Sequence, residues 1–384
     1  MSGRFTSILS SRDPKAAALR FVLTFGVISL FADFTYEGSR SITGPYLAQL
    51  GELLGYALRL VSGRMAEKTG AFWPITLFGY AIQMISVPLL ALAGSWQIAA
   101  LLIVIERIGK ATRNPPRDVM LSHAGKVIGF GWAFGLNEAL DQFGACIGPL
   151  SVAAVLAAHG QYKTAFAMLL IPAIMTLLLL VTARVIYPRP EELSIESAAA
   201  GSAQLPRKFW IYLAGASLVA AGFPDFSMMS YHFSKAAIVP ATWIPVFYAV
   251  AMGTSGIGSL IFGRLFDRKD IGILIPLTLM TSLFAPLAFL GGFWSAFVAV
   301  ALWGAGMGVH ESIIPAAVAT MVPPQRRASA YGIFTAAYGV CWFLGSVMIG
   351  VLYDFSLPAL IAFSVIVELA ALPLFFMLMD RGEK

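Results

Sequence analysis

Charge and cysteine are both scarce in this chain, and each scarcity excludes a class of protein. Only 12% of the 384 residues are Asp, Glu, Lys or Arg, against 58% hydrophobic. A water-soluble protein of this length cannot hide that much apolar surface, so lipid must solvate most of it. The two cysteines, Cys146 and Cys341, lie within apolar runs and read as small packing residues, which argues against a disulfide framework. No His/Cys group has metal-ligand spacing. No glycine-rich segment closes on Lys-Ser or Lys-Thr, so the chain has no evident ATP cradle. The net charge of +6 is spread over short turns instead of a basic patch, and nucleic acid is not an expected partner. No nucleophile–base arrangement stands out, and no enzyme is expected.

What the chain has in abundance is apolar sequence. Runs fall at 19–38, 43–62, 72–93, 97–112, 130–158, 164–183, 209–232, 240–262, 271–292, 294–319, 328–353 and 357–379. Most are near the ~20 residues needed to cross a bilayer. They are continuous rather than alternating, so the expected fold is all-α, with twelve transmembrane helices. The first run follows a basic N-terminus and lacks a small-residue cleavage signal, and is expected to be retained. With the N-terminus inside, 22 of the 26 Lys and Arg fall on the cytoplasmic side. Both termini are therefore expected in the cytoplasm of a prokaryotic cell, with the chain in its inner or plasma membrane.

Residues 187–208 carry Pro188, Pro190, Glu191, Glu192, Glu196 and three consecutive alanines, and read as a flexible cytoplasmic linker. They divide the chain into six-helix bundles at 1–186 and 209–384. The halves are related. Phe31-Ala32-Asp33-Phe34 is echoed by Phe223-Pro224-Asp225-Phe226. Gly135 and Gly148 are echoed by Gly332 and Gly345 at the same spacing. A six-helix unit repeated across a linker points to a transporter of the rocking type.

Ionisable groups inside the runs cost several kcal/mol each and imply partners, water or function. Asp33 and Glu37 lie in the first run, Glu52 in the second, Glu106 and Arg107 in the fourth, and Glu138 and Asp141 in the fifth. The seventh run carries Asp225 and the tenth His310 and Glu311, whereas the third, sixth and ninth carry none and the twelfth only Glu368. A central aqueous cavity explains this distribution. Glu138 and Asp141 share a helix face about 12–17 Å from the inner end. Two acids so close do not both ionise easily, and they either carry a proton or join a structural network with Arg107. His123 and His159 read as solvated, His232 as interfacial, and His310 as a relay or a partner of Glu311.

Between the second and third runs stands a charged turn, Gly63-Arg64-Met65-Ala66-Glu67-Lys68-Thr69-Gly70, echoed by Gly263-Arg264-Leu265-Phe266-Asp267-Arg268-Lys269-Asp270. This turn, its echo and the twelve paired runs resemble the major facilitator superfamily. Gly63, Glu67, Lys68 and Gly70 match the family's loop signature, with Glu and Lys standing for its usual Asp and Arg. The resemblance implies that Gly63, Arg64, Glu67, Lys68, Gly70, Asp267 and Arg268 latch a cytoplasmic gate, and that Arg107 is a cavity arginine. Gly144, Gly148 and Pro149 are similar to a packing signature of the drug:proton antiporter branch, although Val152 and Ala153 stand where paired glycines belong. The stretch Arg113-Asn114-Pro115-Pro116-Arg117-Asp118 is read as lying before the fifth helix.

The expected function is secondary active transport of a small solute by alternating access, coupled to protons, with no cofactor and the proton gradient as energy source. A surplus of cavity acids leans toward export of a cationic or amphipathic compound. Uptake of a small polar solute is the alternative, and a non-transporting receptor or scaffold is another. The expected partners are solute, protons and lipid, with the chain a monomer. Asp33 to Gly63 spans 8 positions fewer than Asp225 to Gly263. Either the second helix is shortened, leaving a notch at the outer mouth beside Glu52, or bilayer thinning or an early end to the first helix absorbs the deficit.

Overall fold

The computed structural model describes residues 13–43, 45–159, 161–193, 204–240 and 243–379, with the side chains of 41–54, 56, 57 and 159 outside the description. Those residues are helical, without a β-strand among them. The first half comprises α1 (Pro14–Thr43), α2 (Pro45–Thr69), α3 (Phe72–Leu89), α4 (Trp96–Ile128), α5 (Phe130–His159), α6 (Tyr162–Met168) and α7 (Leu170–Ile186). The second comprises α8 (Arg207–Gly222), α9 (Phe226–Lys235), α10 (Ile244–Lys269), α11 (Leu274–Thr281), α12 (Phe284–Leu290), α13 (Phe293–Met321), α14 (Arg327–Phe355), α15 (Leu357–Leu369) and α16 (Leu372–Met379).

Nine stretches among the described residues are long and apolar enough to cross a membrane, and one of them, 244–290, holds both α10 and the α11–α12 pair. Helices α2 and α4 are long enough, but charge lowers their hydropathy. Along α4 run Glu106, Arg107, Lys110, Arg113, Arg117 and Asp118. Outward-facing surfaces are apolar, as lipid demands. Ile171, Leu178 and Val185 of α7 are exposed, as are Val347 and Val351 of α14.

Two sequence expectations change here. Helix α2 is not shortened: it has 25 residues against 26 in α10. The missing positions are taken from the connection. One position separates α1 from α2, whereas eight separate α9 from α10. A helix too short for the bilayer would strand polar backbone in lipid, so the deficit falls between the helices and not within α2. The notch is thereby removed, and the Glu52 side chain lies outside the described residues.

The second change concerns 113–118, which are not a loop. Helix α4 runs unbroken for 33 residues through Pro115 and Pro116. Proline at 115 removes the N–H that would bond the carbonyl of Ala111. The Ser62 hydroxyl of α2 donates to that oxygen instead, at 2.9 Å. A neighbouring helix thus satisfies what the ring leaves open, and the segment stays helical inside the membrane domain.

The repeated glycines have matching structural jobs. Cβ atoms on Gly135 and Gly332 would meet the carbonyl oxygens of Ser259 and Arg59, each across the two halves. Cβ atoms on Gly148 and Gly345 would meet those of Phe34 and Ala221, each within its own half. The first glycine of each pair therefore seats one half on the other, and the second seats α5 on α1 or α14 on α8.

Candidate functional site

Between the halves lies a cavity of about 800 Å³. One end is sealed by two pseudo-symmetric contacts. Gly63 of α2 lies against Ala328 and Gly332 of α14, and Gly263 of α10 lies against Gly131 and Gly135 of α5, backbone on backbone. Carboxylates fasten each contact. Glu67 accepts the Ser329 N–H at 3.1 Å and pairs with Arg326 at 3.2 Å. Asp267 accepts the N–H groups of Gly131 and Trp132, both at 2.7 Å, where the N-terminus of α5 presents unpaired donors and positive dipole.

The expected turn is accordingly the helical end of α2, with the chain reversing only at Gly70 and Ala71. Gly70 has φ of +63° and Asp270 +53°, so the second copy holds an aspartate where the first has the residue suited to left-handed backbone. Arg64, Lys68 and Arg268 are exposed and make no part of the glycine contacts. Arg327 braces the same end, donating to Ser122, Ala319 and Val322 and stacking over Phe130. From this floor, where Phe134 meets Tyr331 edge to face, the lining extends to Arg40, Leu156 and Pro245 near the opposite helix ends.

Most expected site residues converge here. Asp33, Glu37, Arg107, Glu138, Asp141, Asp225, His310 and Glu311 all line the cavity. The Asp33 and Asp141 carboxyl groups lie side by side at hydrogen-bonding range. Glu138 takes a hydrogen bond from Gln142, one turn along α5, and is an electrostatic neighbour of Glu311 across the cavity. Glu37 pairs with Arg40 at 3.5 Å and accepts from Tyr248 of α10 at 3.2 Å. Asp225 is held by Trp342 Nε1 at 2.9 Å and Ser346 Oγ at 2.7 Å.

Other expectations are corrected. Glu106 does not face the cavity. It accepts from Gln83 of α3 at 3.0 Å, and Gln83 in turn accepts from Arg113 at 2.6 Å. Glu106 and Arg107 are adjacent on α4 and point about 100° apart, so only one of them can face the centre. Arg107 does so, donating to the Tyr36 hydroxyl while Nε stays 3.5 Å from Glu106. His310 does not pair with Glu311: its ring bonds the Tyr338 hydroxyl at 2.6 Å and packs on Phe223 and Trp342, whereas Glu311 projects into the cavity. His232 is buried against Phe289 with Nδ1 3.1 Å from Tyr353 Oη, and His123 is half-buried within α4. The side chain of His159 lies outside the described residues.

Sequence reasoning missed Arg59, Lys110, Arg113, Arg117 and Asp118, all on the lining. With them the lining is nearly balanced, seven acids against six bases: bases from α2 and α4 face the acids of α1 and α5. Arg117 and Asp118 pair at 2.8 Å. A signal was available, because Arg107, Lys110, Asn114 and Arg117 recur at helical spacing along one stripe. Reading Pro115 and Pro116 as a helix end concealed it. Gly144 and Gly148 set α5 against Leu30 and Phe34 of α1, and Pro149 lies on the lining.

The sequence and the fold both have counterparts among known proteins. The family model described as Major Facilitator Superfamily matches residues 41–346. An uncharacterised protein of Mycobacterium tuberculosis is 38% identical, the match covering 96% of this chain and 95% of that one. An uncharacterised MFS-type transporter of Methanocaldococcus jannaschii is 24% identical, covering 84% and 82%. Among solved structures, a human organic anion transporter superposes with TM-score 0.73 at 12% identity, covering 95% of this chain and 100% of that one. A bacterial homologue of the iron transporter ferroportin, in an outward-facing state, gives 0.69 at 14%, covering 94% and 100%. Two helical halves sealed by paired glycine contacts, together with the family match over most of the sequence, lead to one conclusion: the chain belongs to the major facilitator superfamily and is a multi-pass membrane transporter.

Proposed function

We propose that the chain is a secondary active transporter that moves a small solute by alternating access and couples that movement to protons. The observation that carries this reading is the convergence of most of the span charges on one cavity sealed at one end. Asp33 and Asp141 supply the proton site, with Glu138 one turn away and Arg117 as nearby countercharge. Protonating a cavity acid removes a charge that would otherwise be costly to close over, and this links proton occupancy to the change of access. Glu67 and Asp267 hold the sealed state, and breaking their contacts lets the halves rock apart.

The basic residues that flank the spans support a cytoplasmic position for both termini and the sealed end, even after Arg59, Lys110, Arg113 and Arg117 are reassigned to the cavity. The protein then resides in a prokaryotic plasma membrane as a monomer. The close α1–α5 packing at Gly144 and Gly148, similar to proton antiporters, supports export. The mixed lining favours an amphipathic solute over a purely cationic one. The test is reconstitution into liposomes with an imposed pH gradient, screened against cations, sugars, organic acids and amino acids. Solute-dependent proton flux that Asp141→Asn abolishes is the expected result, and its sign separates export from uptake. No solute-dependent flux across the panel overturns the reading in favour of a receptor or scaffold.

A further inference from the structure

The two walls of the cavity differ in kind. The first half contributes most of its charge, whereas the second contributes an aromatic surface. Phe226 is in ring contact with both Trp303 and Tyr248, at centroid distances of 5.8 and 5.0 Å. Trp342 meets Tyr338 at 5.6 Å. Of the carboxylates on this wall, Asp225 is committed to Trp342 and Ser346. Glu311 is not: it reaches into the cavity and makes no ion pair within 4 Å among the described residues.

Lys110 is its counterpart on the charged wall. Its Nζ sits 3.6 Å from the centroid of the Tyr36 ring and makes no ion pair within 4 Å among the described residues. The two groups are electrostatic neighbours across the cavity without touching. A cation bound at Glu311 would leave Lys110 facing it, and an anion at Lys110 would meet Glu311. In a closed cavity of low dielectric either arrangement strands one charge. A solute carrying both charges satisfies both groups together.

We infer that the cavity binds a zwitterion with a planar ring body, of the aromatic α-amino-acid type, its carboxylate at Lys110, its ammonium at Glu311 and its ring against Phe226, Trp303 and Trp342. The inference rests on the transporter reading only for the cavity being a solute site. Ring-on-ring contact supplies affinity without demanding one ring chemistry. The Tyr36 ring packs against the Lys110 ammonium, and the nearby Glu37 of α1 makes no ion pair with it within 4 Å.

The experiment is equilibrium binding to the full chain in nanodiscs, using radiolabelled L-tryptophan in competition with tryptamine, indole-3-propionate and glycine. The expected result is that tryptophan binds at least about tenfold more tightly than each competitor, since each lacks one of the three features. Lys110→Met is expected to lower tryptophan to the level of tryptamine, and Glu311→Gln to that of indole-3-propionate. The double variant K110E/E311K is expected to recover part of the lost affinity, which a folding defect would not. Tryptamine or glycine binding as tightly as tryptophan overturns the inference, and so does absence of tryptophan binding to the unmutated chain. Proton flux with some other solute would then leave the transporter reading standing. Tryptophan binding without solute-driven flux would support the site and sink the transporter reading.

Discussion

Phe31-Ala32-Asp33-Phe34 and Phe223-Pro224-Asp225-Phe226 occupy matching places in the two halves, yet they build different structures. Helix α1 runs through the first copy without interruption, from Pro14 to Thr43. At the second copy the helix stops at Gly222 and restarts at Phe226. Proline at 224 cannot donate a backbone hydrogen bond and disfavours helix in the residue before it. The carbonyls this releases are satisfied from neighbouring helices: Ser364 donates to Gly222 O at 2.6 Å and Trp303 to Pro224 O at 2.8 Å. The aspartates diverge accordingly. Asp33 stays in register with Asp141, whereas Asp225 swings into a socket of Trp342 and Ser346. A repeated motif therefore keeps its place without keeping its chemistry, and one residue is enough to separate the two copies.

The largest effect should come from exchanging that residue. Ala32→Pro puts proline inside a continuous helix with no prepared partner for the released carbonyl, and should cost ~3 kcal/mol or more. Pro224→Ala acts where the break is already satisfied, and should change stability by less than ~1 kcal/mol. Unfolding in detergent measures both, and equal losses would mean the two sites are equivalent after all.

Next come the aspartates themselves. Asp33→Asn should reduce proton-coupled flux by about 30-fold or more, the equivalent of roughly 2 kcal/mol in the barrier. Asp225→Asn should keep coupling within about threefold, because an amide oxygen still accepts from Trp342. Loss of coupling in both variants would assign them one role.

The seals offer a smaller contrast. Asp267→Ala removes two charge-assisted bonds to backbone N–H, and Glu67→Ala removes one together with the Arg326 pair. Each should shift the equilibrium toward opening by roughly 1–3 kcal/mol. The Glu67 effect should shrink in high salt because part of it is a partly exposed ion pair. Distances between spin labels on Lys68 and Arg268 report the opening. Salt sensitivity of the same size in both variants would argue against the distinction.

The smallest effect concerns the first hairpin. Eight residues inserted between Thr43 and Pro45 should be tolerated with less than ~1 kcal/mol change, since the second half already carries such a connection. The same insertion between Gln49 and Gly51 would interrupt α2 and should abolish expression of folded protein. Tolerance at both points would show that α2 need not be continuous.

Much of this was legible from residue type and spacing. Apolar runs of bilayer length leave only helices, because lipid offers no partner for a backbone N–H. The Gly135–Gly148 and Gly332–Gly345 spacing marked the repeat, and the same close approaches appear in both halves. Asp33, Arg107, Glu138, Asp141 and Glu311 were traceable to a cavity because charge inside a span has few other destinations. The bases missed at 113 and 117 share one cause. Whether Pro115 ends α4 depends on Ser62, a residue 53 positions earlier whose hydroxyl replaces the missing bond. Once that helix was taken to stop, Arg113 and Arg117 looked like loop bases.

By itself, then, the amino-acid order determined the solvent, the helical class, the repeat and the set of charges that had to be buried. Those follow from free energies of transfer, which depend on composition and local spacing alone. Only the tertiary structure decided that Glu106 turns to Gln83 while Arg107 faces inward. It also decided that Asp225 is held by Trp342 and Ser346 while Glu311 has no ion pair among the described residues, and that α2 keeps its full length. Each of those outcomes is set by which neighbouring helix supplies a partner across the gap, and directional hydrogen bonds between distant segments leave no periodic trace in the chain.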